Sequence, residues 1–405
     1  MAGTSTKLGL ILTGGGARAA YQVGVLRAIA EILQQHQPSI YDGKAGPVIK
    51  SPFQVISGTS AGALIAAKLA SQADEFNTAV SDLVTVWENF SANHVYLADA
   101  WGMARSGAKW LTLFSLGWIL ARWAKASGAP KSLLDNSPLE GLLRQLIPLD
   151  RIPQMMTEGH LHALAITASS YTTGNHVTFY DSEQVIDNWE RTNRMAQRDK
   201  IGIPHLMASA AIPFMFPAVP LSMSGQLEWF GDGAMRQTAP ISPAVHLGAE
   251  KILVIGSGRM REPPGRVVSN HAYPSLAQIA GHALSNIFLD SLAIDIERLE
   301  RVNKTLGLLS KEGRDKTPLR TIELLVIAPS QRLDDMAARH ISALPWAVRA
   351  LLRGVGVSGR GTQARGAALA SYLLFESAYT REVMALGHAD IMTRKEEVKQ
   401  FLELI

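Results

Sequence analysis

The stretch that most constrains this chain is Gln54-Val-Ile-Ser-Gly-Thr-Ser-Ala-Gly-Ala-Leu64, with Ser60 at its centre. Phe53 to Ile56 reads as a short buried strand, and Ala61 to Ala70 as a helix rich in small residues. Between them stands Gly58-Thr-Ser-Ala-Gly62, a G-x-S-x-G pentapeptide. A nucleophilic serine on a sharp strand-to-helix turn needs a strained backbone and close neighbours. Glycine two positions away on each side permits both. The helix that follows points its positive N-terminal end at any charge developing beside Ser60.

A second glycine motif opens the chain. Leu8 to Leu12 is a continuous apolar run of the kind found in buried parallel strands. Thr13-Gly-Gly-Gly-Ala-Arg18 follows it, then a helix from about Ala19 to Gln35. A glycine loop entering a helix exposes backbone N–H groups to anions, which suits either a nucleotide phosphate or an oxyanion hole. The nucleotide reading lacks the G-K-[ST] lysine, and Ala19 breaks G-x-G-x-x-G. The serine motif downstream favours the oxyanion hole. A third piece comes late. Leu206 to Pro217 reads as a helix of small residues stopped by prolines, and Glu228-Trp-Phe-Gly-Asp-Gly-Ala234 sets Asp232 between two glycines at a strand end. Lys251 to Ile255 is another buried strand.

In this order, the three pieces resemble the patatin-like phospholipase family, whose pattern is G-G-G-x-[KR]-G, G-x-S-x-G and D-G-[AG]. Here they are Gly14-Gly-Gly-Ala-Arg18-Ala19, Gly58-Thr-Ser-Ala-Gly62 and Asp232-Gly-Ala234. Ser132 to Leu143, Ala208 to Pro213 and Pro240 to Ile255 match in kind, so the resemblance covers about residues 7 to 256. Three positions depart from the pattern. Thr13 stands where the family often has aspartate, Ala19 replaces a glycine, and Gln237-Thr-Ala-Pro lacks an expected asparagine.

The resemblance implies a lipid acyl hydrolase with a Ser60–Asp232 dyad. Ser60 would be the nucleophile and Asp232 the base, and the loop of Gly14, Gly15 and Gly16 would form the oxyanion hole. Arg18, Gly58, Gly62 and Gly233 would support the site. An ordinary aspartate is a weak base for a serine, so this chemistry needs a desolvated Asp232 and a strong oxyanion hole. The substrates implied are phospholipids or lysophospholipids. An acyltransferase on the same dyad, or an idle lipid-binding protein, is the alternative. A triad with a late histidine is also open on chain order, since His246, His271, His282, His340 and His388 all follow Asp232. No cofactor is expected. His160 and His162 lack a third ligand for a metal, and no acidic loop suits calcium.

Composition narrows the setting. The chain has 405 residues, 47% of them hydrophobic and 18% charged, enough for one large α/β domain with additions. A net charge of +4 is too modest to argue for nucleic acid, and the absence of cysteine excludes disulfides, thiolate metal sites and cysteine catalysis. No window reaches the ~18 apolar residues of a membrane span. The expectation is a cytoplasmic protein, peripheral at the inner membrane face. Two stretches suit such a contact. Residues 96–131 carry tryptophans at 101, 110, 118 and 123 among basic residues, as a lid, an interfacial element or a core helix. Residues 336–370 hold five arginines and no acid, and run into Gly354, Gly356, Gly359 and Gly361.

Lys304 to Arg320 reads as a solvated connector and Thr321 to Ala328 as a last strand. Ser371 to Leu386 and Thr393 to Leu404 read as helices, joined by Ala385 to Asp390. The fold class expected is α/β: a three-layer α/β/α catalytic domain over residues 1–330 with a mostly parallel sheet, and a helical C-terminal extension over 331–405. Oligomeric state is not legible in the sequence.

Overall fold

The computed structural model describes residues 6–36, 48–97, 132–260, 273–357 and 366–405. Residues 98–131, most of the first tryptophan-rich stretch, lie outside them, as do His271 and the 358–365 part of the second basic stretch.

The apolar run Leu8–Leu12 is strand β1, buried at every position. It pairs in parallel with β2 (Val55–Thr59) on one side and β9 (Lys251–Ile255) on the other. β3 (Ala163–Ser170) and β10 (Glu323–Ile327) extend the parallel set to the order β10-β9-β1-β2-β3. Beyond β3 the sheet turns antiparallel with β4 (His176–Ser182) and finishes with β6 (Arg194–Arg198) and the short β5 (Glu190–Arg191). Helices cover both faces, which is why β1 has no polar alternation. Leu10 and Leu12 face a large cluster with α1 (Ala20–His36), α2 (Ala61–Ser71) and α3 (Phe76–Glu88). Ile11 faces a smaller one with Ile252, Val254 and Leu292. The result is the expected mixed, mostly parallel α/β/α sheet with helices in the C-terminal region.

A hairpin of β7 (Val219–Met223) and β8 (Gln226–Asp232) branches from this sheet. β2 pairs with β3 only as far as Thr59 opposite Thr167, and β8 takes over at the next position, with Asp232 opposite Ala168. The end of β8 therefore continues the line of β2, and it brings Asp232 to the residue that follows Thr59.

Several boundaries differ from the sequence reading. The strand before Ser60 is Val55–Thr59 rather than 53–56, because the register with β1 and β3 runs through Gly58. Leu206 to Pro217 is not one helix. The helix is Ile203–Ser209, and Ala210 to Pro217 turns away to carry Ala211, whose carbonyl accepts from Asp232 N at 3.0 Å. The presumed joint at 385–390 is helical, inside Ser377–Thr393. Gly387 is there for close approach: a Cβ would lie 2.2 Å from the Tyr21 carbonyl oxygen of α1. Gly24 makes the reciprocal contact, with a Cβ 2.0 Å from Met384 O. This glycine-on-glycine crossing seats the C-terminal helix on α1 within the same apolar cluster.

Candidate active site

Ser60 occupies the turn between β2 and α2 with φ 55° and ψ −130°, a region that non-glycine residues rarely adopt. The surroundings over-determine it. Its N–H donates to Ser209 Oγ at 2.9 Å, and Ser209 Oγ donates to the Thr167 carbonyl at 2.6 Å. Gly62 lets α2 press against the end of β1, since a Cβ there would lie 2.3 Å from Leu12 O and 2.7 Å from Thr13 O. Gly58 packs as tightly beneath α2, against the Gly62 and Ala63 backbone.

Ser60 Oγ donates to Asp232 Oδ2 at 2.6 Å. The other carboxylate oxygen accepts from Ala234 N at 2.9 Å, across the turn begun by Gly233. Ser60 is 1% exposed and Asp232 fully buried. Burial pushes the Asp232 carboxyl up to about 7, and the hydrogen bonds from Ser60 and Ala234 only partly oppose it. Asp232 is thus a desolvated carboxylate.

The Gly14–Gly16 loop comes up beside the serine, with Gly16 at φ 54° and in the wall of the Ser60 cavity. A Cβ on Gly16 would meet Tyr372 O at 2.3 Å. Thr13, where an aspartate was expected, ties this loop to β9: its hydroxyl accepts from Ser257 N at 3.1 Å, and Ser257 Oγ donates to Gly14 O. Gly15 packs against Ser257. Gln22 Nε2 donates to the Thr13 carbonyl at 2.8 Å. At the missing asparagine, Gln237 Nε2 donates to Thr59 Oγ1 at 2.8 Å, so a longer amide ties the Asp232 loop to the residue before Ser60.

Arg18, expected to support the site, lies inside the protein. It is 3% exposed. It donates to Ser371 Oγ at 2.7 Å and Ala368 O at 3.2 Å, pairs with Asp334, and lies 4.0 Å over the Tyr372 ring. It anchors the glycine loop to the C-terminal helices.

The late histidines among the described residues lie elsewhere. His246 stacks on Trp189, His340 contacts Glu382 and His388 contacts Glu31, while His282 is exposed. Among the described residues no group of three His, Cys, Asp or Glu could hold a metal ion. Above Ser60 is a cavity of about 30 Å³ with an apolar wall that includes Leu64, Trp87, Phe90, Phe216 and Phe375. Ser209, Ser257 and Gln237 escaped the sequence reading. Their partners are 149, 243 and 178 residues away, and only the Gln237 departure hinted at one of them.

The α/β sheet thus sets a strained serine against a buried aspartate, beside a glycine loop. The sequence profile of the patatin-like phospholipase family matches residues 10–245, more than half of the chain, and the protein belongs to that family. No curated protein matches the sequence. Solved structures similar in fold include human GIVD cytosolic phospholipase A2, at 11% identity and TM-score 0.45, covering 98% of this chain and 62% of that one. The same human enzyme in complex with methyl gamma-linolenyl fluorophosphonate and terbium chloride gives 13%, 0.42, 98% and 59%. VipD from Legionella pneumophila gives 12%, 0.28, 94% and 67%. The chain thus spans about three fifths of the two human structures. Among the described residues no helix is long and apolar enough to cross a membrane.

Proposed function

We propose that the protein cleaves fatty-acyl esters of phospholipids or lysophospholipids through a Ser60–Asp232 dyad. The observation that carries this reading is the 2.6 Å hydrogen bond from Ser60 Oγ to a fully buried carboxylate under an apolar cavity. As Ser60 Oγ attacks the acyl carbonyl carbon, Asp232 Oδ2 takes the hydroxyl proton. The carbonyl oxygen gains negative charge and is held by backbone N–H groups of the Gly14–Gly16 loop. Losing one such donor typically costs about 100- to 1000-fold in rate. The tetrahedral intermediate collapses, the lyso-lipid alkoxide leaves with the proton from Asp232, and the acyl group stays on Ser60. Water then attacks the acyl-enzyme as Asp232 takes its proton, and the second intermediate collapses with that proton returned to Ser60 Oγ, which frees the serine hydroxyl, the Asp232 carboxylate and the fatty acid.

The aromatic wall formed by Trp87, Phe90, Phe216 and Phe375 suits an acyl chain, not a headgroup. A volume of about 30 Å³ holds no chain, so binding requires these side chains to part. The helix Trp346–Gly354 buries Val348 and Leu352 and leaves Trp346 65% exposed, with Arg353 on its outer side. We assign it as a membrane-surface contact.

The test is release of fatty acid from mixed phospholipid and lysophospholipid vesicles by wild type, Ser60→Ala and Asp232→Asn, with folding checked by circular dichroism. Activity in wild type alone supports the reading. Activity retained in folded Asp232→Asn would remove the dyad, and transfer of the acyl group to an added alcohol in preference to water would favour the acyltransferase.

A further inference from the structure

On the sheet face that carries Tyr180 and Val254, one row of side chains crosses four strands. Ser169 of β3 pairs with His176 of β4, His176 with Arg194 of β6, and Arg194 with Arg191 of β5. Directly paired residues share a face, so these four project to the same side. In the neighbouring row Thr167 pairs with Thr178. Ser169, His176 and Thr167 are all at least 97% buried. Ser169 Oγ, Thr167 Oγ1 and His176 Nε2 make no hydrogen bond among the described residues. Orphaned buried polar atoms are rare singly, and three on adjacent register positions mark a place built for something polar.

The row opens into a cavity lined by His176, Thr178, Trp189, Arg191, Arg194 and Ser242. Arg191 is exposed and Arg194 half-buried. Two guanidiniums directly opposite one another repel and destabilise the pair. Other charged groups surround them. Asp295 lies near Arg194, but its carboxylate already accepts from Ile241 N at 2.9 Å. His246 and Arg320 lie nearby as well. Burial and Arg194 together hold His176 neutral, with its pKa lowered to about 3; its one ring N–H is taken by the Gly233 backbone, so the unpartnered Nε2 presents a lone pair. A water would serve His176 and leave the two arginines unrelieved. A hydrogen phosphate donates its own O–H to His176 Nε2 and accepts from both guanidinium forks and from the Thr178 hydroxyl of the lining.

We propose that this row is a binding site for a phosphate-class anion, on the sheet face away from the Ser60 cavity. The cavity is about 10 Å³ with the arginine side chains as they stand, so entry requires Arg191 and Arg194 to swing outward at the sheet edge. The source is either free phosphate or the phosphate of a lipid headgroup. Gly233, the residue after Asp232, reaches the His176 ring through its backbone, so an occupied site would bear on the turn that orients Asp232.

The experiment uses the full-length Ser60→Ala protein, which turns over no lipid on the reading above and retains this site whether or not that reading holds. Inorganic phosphate is titrated at constant ionic strength, followed by calorimetry and by tryptophan fluorescence, with Trp189→Phe identifying the reporting residue. Saturable binding is expected, weakened roughly ten- to hundred-fold in Arg194→Gln, the range for loss of a charge-assisted hydrogen bond. Arg191→Gln, at an exposed position, is a second variant expected to weaken binding in the same direction. Short-chain phosphatidate below its micellar concentration, run against the matching phosphatidylcholine, separates the sources. Tighter binding of phosphatidate than of phosphate, with the same loss in Arg194→Gln, assigns a headgroup, and phosphate binding alone assigns the free ion. A response no different from chloride, or one unchanged in both arginine variants, would overturn the site and leave a hydrated polar pocket.

Discussion

Replacing Asp232 by asparagine should inactivate the protein and stabilise it, and the size of the stabilisation follows from burial. The side chain keeps its volume, its oxygen can still accept from Ala234 N, and its amide can donate to Ser60 Oγ. Only the charge is lost. Burial raises the carboxyl from the ordinary 3.8 to about 7, roughly a thousand-fold in proton affinity, or about 4 kcal/mol. Because the folded value is the higher one, the folded state holds a proton that the unfolded chain has released. The cost of ionisation is therefore absent below about pH 4, grows through the window from pH 4 to 7, and is complete above it. About 2–3 kcal/mol of the total should appear between pH 5 and pH 8. Urea unfolding of wild type and Asp232→Asn at those two pH values isolates it, since all other groups titrate alike in both proteins. The stability gap should widen toward pH 8 in favour of asparagine, while the rate of fatty-acid release falls by about 100-fold or more. A gap that does not change with pH would mean that the carboxylate is not desolvated, and the case for Asp232 as base would fail.

Three other outcomes are expected. The pH profile of kcat/KM should rise about tenfold per pH unit up to about 7 and then level off, as the Asp232 carboxylate forms; a profile flat down to pH 5 would contradict this. Gly62→Ala forces a methyl to 2.3 Å from the Leu12 carbonyl oxygen, so thermal unfolding should show a loss of about 1–3 kcal/mol or more together with lost activity. Arg18→Lys keeps a charge but loses the forked contacts to Ser371 and Ala368, so Tm should fall while the ratio of KM values for anionic and zwitterionic lipids stays unchanged; a headgroup-dependent change in KM would make Arg18 a lipid ligand after all.

The residues that the structure brings together and that were readable in the sequence are those with a local signature: Ser60 has glycines two positions away on each side, the Gly14–Gly16 loop has consecutive glycines, and Asp232 has a tight turn after it. Strands β1 and β9 were equally plain, because a strand buried on both faces has no polar alternation. What stayed hidden was everything set by distant contact. The partners of Arg18 lie more than 300 residues on, so no local pattern shows that it is buried among them. Gly387 looks like a helix break in sequence, yet it serves a helix crossing that no local pattern reveals. Gln237 registered only as a departure from a family pattern, because its bond to Thr59 exists only once β8 has taken over from β2 beside β3. The cross-strand row from Ser169 to Arg191 has no sequence motif at all, since four strands contribute one residue each.

The most direct test of the Ser60–Asp232 account is the site and rate of covalent capture by a long-chain alkyl fluorophosphonate, which reacts only with an activated hydroxyl. Tandem mass spectrometry should place a single adduct on Ser60, absent in Ser60→Ala and formed at least about 100-fold more slowly in folded Asp232→Asn. An adduct on another residue, or capture of Ser60 at the wild-type rate without Asp232, would contradict it.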